Sequence, residues 1–305
     1  MAGRADATAL QWFLRGRWQA SLTLAMAFTL AALLPVLAGP LLLLCASLVA
    51  LVVTQAGRRE SLEVLVIAGV ATALFTLDPS YALAFGLAAW LPGRLLGEGL
   101  LRRQDWSGVA WAALLLALGT LALTLWVIPG AQGEAFWQAQ VARATASVVK
   151  DLGPAQRQML GELARLMPAL LASAMGLLWV LAALLASRWR DRLLAHPQPE
   201  RSFRDWTVPG PVLWLFSAAV LSTWAVHGPL QWLAQNLVLL LGSFYLLQGL
   251  SLIHLWFAAR AWPRAALVAF YVVLVLLSQV LLLTSFLGLL DQIFHLRERI
   301  SARRS

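Results

Sequence analysis

Long apolar runs alternate with short polar or basic stretches along the whole chain, a pattern typical of a polytopic membrane protein. A helix needs about 20 apolar residues to cross the hydrocarbon core of a bilayer. The longest run, residues 230–258, exceeds that length. Nine runs are candidate spans, at about residues 18–36, 41–54, 62–77, 81–96, 107–128, 166–185, 211–226, 230–258 and 265–290. We therefore predict an all-α transmembrane helix bundle that forms a single integral membrane domain over residues 1–305.

The arginines between the runs predict the topology, because basic residues are enriched in cytoplasmic loops. The loop at 187–210 is predicted to be cytoplasmic, since it carries Arg188, Arg190, Arg192, Arg201 and Arg204. We likewise place the N-terminus in the cytoplasm and the bundle in a bacterial inner membrane. Nine crossings would leave the basic C-terminal tail outside, whereas eight crossings bring it inside. We expect eight spans, with the short run at 211–226 not crossing, and keep nine spans as the alternative.

Residues 129–165 differ from the rest of the chain because their charges nearly cancel and their apolar positions are amphipathic. Gly153-Pro154 divides the segment into two predicted helices, since proline suits the first turn of a helix. We predict an extracytoplasmic helical insert that lies on the membrane or caps the bundle. The alternative is a solvated helical hairpin with no function of its own.

Composition agrees with this class: 61% of the residues are hydrophobic and 12% are charged, against about half and a quarter in soluble domains. The net charge of +9 comes from arginines in the loops, so it predicts topology and not nucleic-acid binding. Cys45 is the single cysteine, which excludes an intrachain disulfide. The sequence has no P-loop, no His-Glu-x-x-His and no Gly-x-Ser-x-Gly. We therefore expect no enzymatic activity, no cofactor and no metal.

The run at 230–258 contains polar side chains that cannot comfortably face lipid. On a helix with about 3.6 residues per turn, Asn236 and Ser243 fall near one line, and Gln248 lies nearly opposite. We therefore expect this helix to be buried at the centre of the bundle. Gln248 lies near mid-membrane, where an unpaired amide is costly, so it needs a partner. That partner is either another helix, through an interhelical hydrogen bond, or a ligand.

Polar residues of the last run extend this pattern. Ser278 and Ser285 are seven residues apart and share a helix face. We predict a polar seam, a candidate ligand site, made of Asn236, Ser243, Gln248, Ser278, Gln279 and Ser285. Small residues predicted to let helices pack closely are Ala27, Ala31, Ala172, Gly176, Gly242 and Gly249. Asp291 is predicted to form a surface ion pair with Arg297.

The last hundred residues carry a resemblance to a known family. Its elements are Trp206 and Pro209, the sequence Leu247-Gln248-Gly249-Leu250, and Gly288-Leu-Leu-Asp291 before a basic tail. This pattern resembles the YybS-like family of predicted bacterial membrane proteins, which is thought to be distantly similar to the substrate-binding S components of energy-coupling factor transporters. The resemblance implies an S-component-like core that binds a small solute. It also implies that Ala27 and Ala31 belong to a docking patch.

Two functions follow as expectations. The first is a small-solute binding or transport component, with the solute held between residues 230–258 and the neighbouring helices. The second is a non-transporting scaffold or assembly factor in the lipid bilayer, which contacts a membrane protein partner through 187–210 or 129–165. A cavity that touches Gln248 favours the first function, and a fully packed interior there favours the second.

Overall fold

The computed structural model describes residues 10–102, 106–146, 153–193 and 203–302, which are helical and contain no β-strand. The predicted all-α class is therefore confirmed for these ranges. The helices are α1 (Arg17–Leu33), α2 (Ala38–Gln55), α3 (Arg58–Thr76), α4 (Ser80–Phe85), α5 (Leu91–Arg102), α6 (Ser107–Ala122), α7 (Glu134–Ala144), α8 (Pro154–Leu193), α9 (Val212–Ala225), α10 (Pro229–Ala259), α11 (Arg264–Leu276), α12 (Ser278–Phe294) and α13 (Leu296–Ala302). π-Helical turns at Gly86–Trp90 and Leu123–Val127 join α4 to α5 and extend α6.

Within the described ranges, four helical segments are long and apolar enough to cross a membrane: Pro35–Gln55, Ser107–Val127, Pro154–Leu193 and Pro229–Ala259. The pair α11 and α12 qualifies as a fifth only if its two helices count together. The larger number of spans expected from the sequence includes helices that do not meet this criterion. α9 has 14 residues, which rise only about 21 Å, and α3 begins with Arg58, Arg59 and Glu60. The span count of eight or nine therefore stays a prediction.

Contacts divide the chain into two compact units, Met1–Ala113 with Leu177–Asp205, and Leu114–Gly176 with Trp206–Ser305. In the first unit, α1, α2, α3 and α5 pack around fully buried side chains that include Leu24, Cys45 and Leu51. A β-carbon on Gly93 of α5 would lie 2.6 Å from that of Val49. Glycine therefore lets α5 approach α2 closely.

The second unit is built around α10, which packs against α9 and α12. Its bounds match the run at 230–258, and its middle is buried, as expected for a central helix. α8 begins at Pro154, as the Gly153-Pro154 signal predicts, but it continues through the sixth apolar run as one helix of 40 residues. Parts of the predicted segments, residues 147–152 and 194–202, lie outside the described residues. The extracytoplasmic and cytoplasmic placement of 129–165 and 187–210 stays a prediction.

The predicted ninth span at 265–290 is not one straight helix, because the helix breaks at Leu277 and its two halves differ in direction by 113°. α12 then runs parallel to α10, since Ser285 and Asp291 contact Gly242 and Gln248 at the same offset of 43 residues. α11, which connects α10 to α12 in the sequence, must therefore return the chain towards the start of α10. As a result, α13, which carries Arg297 and Arg299, lies at the same end of α10 as Ser251.

Candidate functional site

Gln248 of the central helix is 1% exposed, and both the oxygen and the nitrogen of its amide are hydrogen-bonded. Its Oε1 accepts a hydrogen bond of 2.8 Å from the backbone N–H of Val208. Its Nε2 donates to Asp291 Oδ2 at 3.0 Å. Gln248 thus makes one interhelical hydrogen bond, to Asp291 of α12, which is one of the two roles expected from the sequence, and accepts a second bond from a non-helical segment. It does not line any of the grooves of the second unit described below.

Asp291 is buried at 4% exposure, so the predicted surface position of its ion pair is wrong. Its Oδ1 accepts from the backbone N–H of Arg297 at 2.9 Å, and Arg297 Nη2 lies 3.5 Å from Oδ2. The same Nη2 donates to the carbonyl of Trp206 and to Ser251 Oγ, both at 2.8 Å. We call this set the tail network: Trp206, Val208, Gln248, Ser251, Asp291 and Arg297. It holds the start of the tail and residues 206–208 against α10.

Two glycines bring α10 and α12 close enough for the tail network to form. A β-carbon on Gly249 would collide with the carbonyl oxygen of Thr284, and one on Gly288 with that of Tyr245. Both collisions are with backbone atoms, which cannot move aside as a flexible side chain can. The sequence Leu247-Gln248-Gly249-Leu250 therefore combines a hydrogen-bonding amide with the glycine that permits the close approach.

Asn236 lies outside the tail network and repairs a break in α8. Pro168 lies inside α8 and interrupts its backbone hydrogen bonds. Asn236 Oδ1 accepts from the N–H of Ala169 at 3.0 Å, and its Nδ2 donates to the carbonyl of Arg165 at 3.1 Å. In a regular helix these two backbone groups would bond to each other. Asn236, which is fully buried, is thus occupied by backbone and does not reach a ligand site.

A groove of about 680 Å³ lies between α10 and its neighbours α8, α9 and α12. We call it the serine groove and define it by the polar residues that line it: Ser173, Ser243, Tyr245, Ser278 and Ser285. The rest of its lining is apolar, as in Leu246 and Leu281. Three of the six residues of the predicted seam, Ser243, Ser278 and Ser285, are therefore brought together in one groove.

The hydroxyl groups of the serine groove differ in how they are paired. Ser243 donates to the carbonyl of Leu240, and Ser285 donates to that of Gly242, both at 2.7 Å. Ser173 Oγ and Tyr245 Oη are buried and have no hydrogen-bond partner within the described part of the chain. A buried unpaired hydroxyl costs about 1–3 kcal/mol, so a ligand group that pairs with it gains that amount.

The remaining predicted residues lie elsewhere. Gln279 is exposed and does not line the serine groove. Ala27 and Ala31 are buried in α1. Ala172 is buried in α8, where a β-carbon on Gly176 would lie 3.2 Å from the Phe244 ring. Ser173 and Tyr245 were absent from the predicted seam, although a hydroxyl inside an apolar run is the signal that could have found them.

The described residues contain no cluster of three or more His, Cys, Asp or Glu side chains that could hold a metal ion. A protein-family model, described as a predicted membrane protein (DUF2232), matches residues 22–292. Comparisons with curated proteins and with solved structures found no match. The match agrees with the expected class of predicted membrane proteins, whereas the YybS-like name and the similarity to S components stay predictions.

Proposed function

Because the chain belongs to the DUF2232 family of predicted membrane proteins, we propose that it acts within the membrane by binding a small, largely apolar solute in the serine groove. One observation carries the proposal: the lining of the groove includes two buried hydroxyls, those of Ser173 and Tyr245, that have no partner among the described residues. Its volume of about 680 Å³ falls within the range of about 300–1,000 Å³ common for small-molecule sites. An apolar wall with a few polar groups is also the usual composition of such sites.

The lining of the groove defines the chemistry of the solute. None of the described residues that line it is charged, so a charged solute would lose its hydration without gaining an ion pair there. An apolar body with one or two hydroxyl or carbonyl groups would fill the groove and pair with Ser173 and Tyr245. Such a molecule dissolves in the bilayer and reaches the groove from the lipid.

The topology that best accommodates the arginines has eight crossings followed by a re-entrant pair, α11 and α12. In this arrangement the run at 211–226 crosses the membrane, contrary to the choice made from the sequence. The run at 265–290 enters and leaves the membrane on the same side. The tail network supports it, since Arg297 bonds to Trp206, next to the basic loop. Each arginine-rich loop and the tail then lie in the cytoplasm, together with the N-terminus, as the positive-inside rule favours. This assignment applies to a bacterial inner membrane.

The alternative function, a scaffold that binds a protein partner, is favoured by a different observation. Gln248 does not line the serine groove, and α10 and α12 approach closely next to it, at Gly249 and Gly288. This argues against a polar solute at mid-membrane and is compatible with a purely structural α10. Transport and an S-component role belong to the first proposal and rest on the resemblance, whereas the burial of Ala27 and Ala31 argues against docking through them.

A binding screen with purified protein in detergent tests the proposal. We expect long-chain alcohols, isoprenols or quinone-like carbonyl compounds to raise the melting temperature. Tyr245→Phe and Ser173→Ala should each weaken binding about two- to tenfold, because each removes one hydrogen bond. Ser222→Ala is the matched control, since the half-buried Ser222 of α9 has an exposed hydroxyl that bonds to its own helix, and it does not line the groove.

The outcome that overturns solute binding is equally specific. If folded protein responds to none of these compounds, or if the hydroxyl variants and Ser222→Ala weaken binding equally, the groove is not the site. Specific capture of one protein by crosslinking from the basic loop would then support the scaffold.

A further inference from the structure

A second groove of the same unit lies where α10 ends and the tail begins. Its volume is about 810 Å³, and its walls come from the last turns of α10, from α11 and α12, and from α13. We call it the aromatic groove and define it by Trp256, Phe257, Arg260, Trp262, Phe270 and Arg299. It shares no lining residue with the serine groove.

Aromatic rings form one wall of this groove. The Trp262 ring lies 4.9 Å from that of Trp256 and 5.0 Å from that of Phe257, in edge-to-face contact. Tryptophan is enriched at the membrane–water interface, where its ring meets the acyl chains and its N–H meets water. The position of these rings at the end of a membrane-length helix therefore places the groove at the depth of the lipid headgroups.

Two cations line the groove beside the aromatic wall. The Arg260 guanidinium stacks over the Trp256 ring at 4.3 Å, which fixes its position. Arg260 and Arg299 are both exposed, and neither has an ion-pair partner among the described residues. Arg297, by contrast, is engaged in the tail network. The groove thus offers positive charge without a compensating carboxylate.

We infer that the aromatic groove binds an anionic phospholipid, with an acyl chain against the aromatic wall and the phosphate at Arg260 and Arg299. Guanidinium groups pair with phosphate through a planar fork of N–H donors, and basic pockets at helix ends suit anionic headgroups. A neutral amphiphile would pack against the aromatic wall but would leave the guanidinium groups of Arg260 and Arg299 without an anion. Because α13 forms one wall of the groove, the bound lipid would also hold α13 against α10.

Lipid binding to the full chain in a neutral detergent, followed by native mass spectrometry, tests this inference. The probes are phosphatidylglycerol and phosphatidylcholine with the same acyl chains. An interfacial arginine contributes about fivefold to anionic-lipid affinity, so we expect about 25-fold preference for phosphatidylglycerol. Arg260→Gln combined with Arg299→Gln should abolish the preference. Arg157→Gln combined with Arg264→Gln removes the same charge outside the groove and should retain most of it.

Two further measurements show where the lipid binds and whether a free phosphate anion could bind in its place. Phosphatidylglycerol with brominated chains should quench tryptophan fluorescence, and Trp256→Phe combined with Trp262→Phe should remove most of that quenching while binding persists. Glycerol phosphate should not compete, because it lacks the chain. Four results would each overturn the inference. Two concern affinity: equal binding of the two lipids, or a preference that survives Arg260→Gln with Arg299→Gln. The others are competition by glycerol phosphate and unchanged quenching in the tryptophan variant. A lipid-independent dimer that occupies the groove would overturn it as well.

Discussion

The tail network and the serine groove lie on the same helix, yet they use polar side chains in opposite ways. In the tail network, Gln248 and Ser251 are buried and each bonds to a partner distant in sequence. In the serine groove, the hydroxyls of Ser173 and Tyr245 are also buried but have no partner in the described chain. The first arrangement stabilises the packing of α10. The second leaves polar groups for a molecule that is not part of the chain.

The backbone nearby explains the difference. The tail network adjoins residues 206–208, an irregular segment whose N–H and carbonyl groups need partners that helical bonding does not supply. Asn236 meets the same need at Pro168. Ser173 and Tyr245 lie inside α8 and α10, at positions where the backbone groups bond within the helix. The two amides that meet broken backbone, Asn236 and Gln248, are therefore occupied by it, whereas the hydroxyls of Ser173 and Tyr245 are left for a solute.

The largest expected effect comes from Asp291→Ala, which removes the acceptor shared by Gln248 and Arg297. Breaking a buried charge pair costs about 3–5 kcal/mol, because the remaining charge is left unpaired. We expect a fall of that order in the free energy of unfolding, measured by denaturant titration in mixed micelles. Glu162→Gln is the control, since its ion pair is exposed and should change stability by less than about 1 kcal/mol. If both variants lowered the free energy of unfolding equally, the buried tail network would be no more stabilising than an exposed ion pair.

Gly288→Ala is expected to cost about 2 kcal/mol, because its β-carbon would collide with the Tyr245 carbonyl oxygen. Gly242→Ala tests the same helix pair without a collision, since the nearest atom to its β-carbon, Ser285 Oγ, would be 3.9 Å away. We expect that variant to be nearly neutral in the same titration. Similar losses for both alanines would mean that the two helices do not approach at Gly288.

Asn236→Leu should cost about 1–3 kcal/mol, because it leaves the N–H of Ala169 and the carbonyl of Arg165 without the amide. In a Pro168→Ala background these two groups can bond to each other, so the cost of Asn236→Leu should shrink. A double-mutant cycle measures the difference. Additive effects would contradict the repair of α8 by Asn236.

The smallest expected effect is that of Tyr245→Phe on stability without a solute. Because the Tyr245 hydroxyl is buried and unpaired, its removal should leave the free energy of unfolding unchanged or raise it by about 1 kcal/mol. Thermal unfolding of the two proteins side by side measures this. A clear loss of stability would mean that the hydroxyl has a structural partner and is not available to a solute.

Much of α10 could be predicted from the sequence, since its length, its central position and the need of Gln248 for a partner follow from an apolar run with a buried amide. The identity of that partner could not, because Val208 and Asp291 are distant in sequence. The break at Leu277 was also missed. No proline or glycine marks it, and Leu276-Leu277-Ser278 continues the apolar pattern. Asp291 was therefore placed at the surface, whereas the return of α12 along α10 buries it.

The most direct test compares two serine-to-cysteine variants on α10 in a Cys45→Ala background. Ser243→Cys places a thiol in the serine groove, and Ser251→Cys places one in the tail network, where Ser251 is fully buried. A small uncharged maleimide, added to folded protein in detergent, should label Ser243→Cys at least about ten times faster, because opening the network costs more than about 1.4 kcal/mol. Equal labelling rates, or faster labelling of Ser251→Cys, would contradict the division of α10 into a closed network and an open groove.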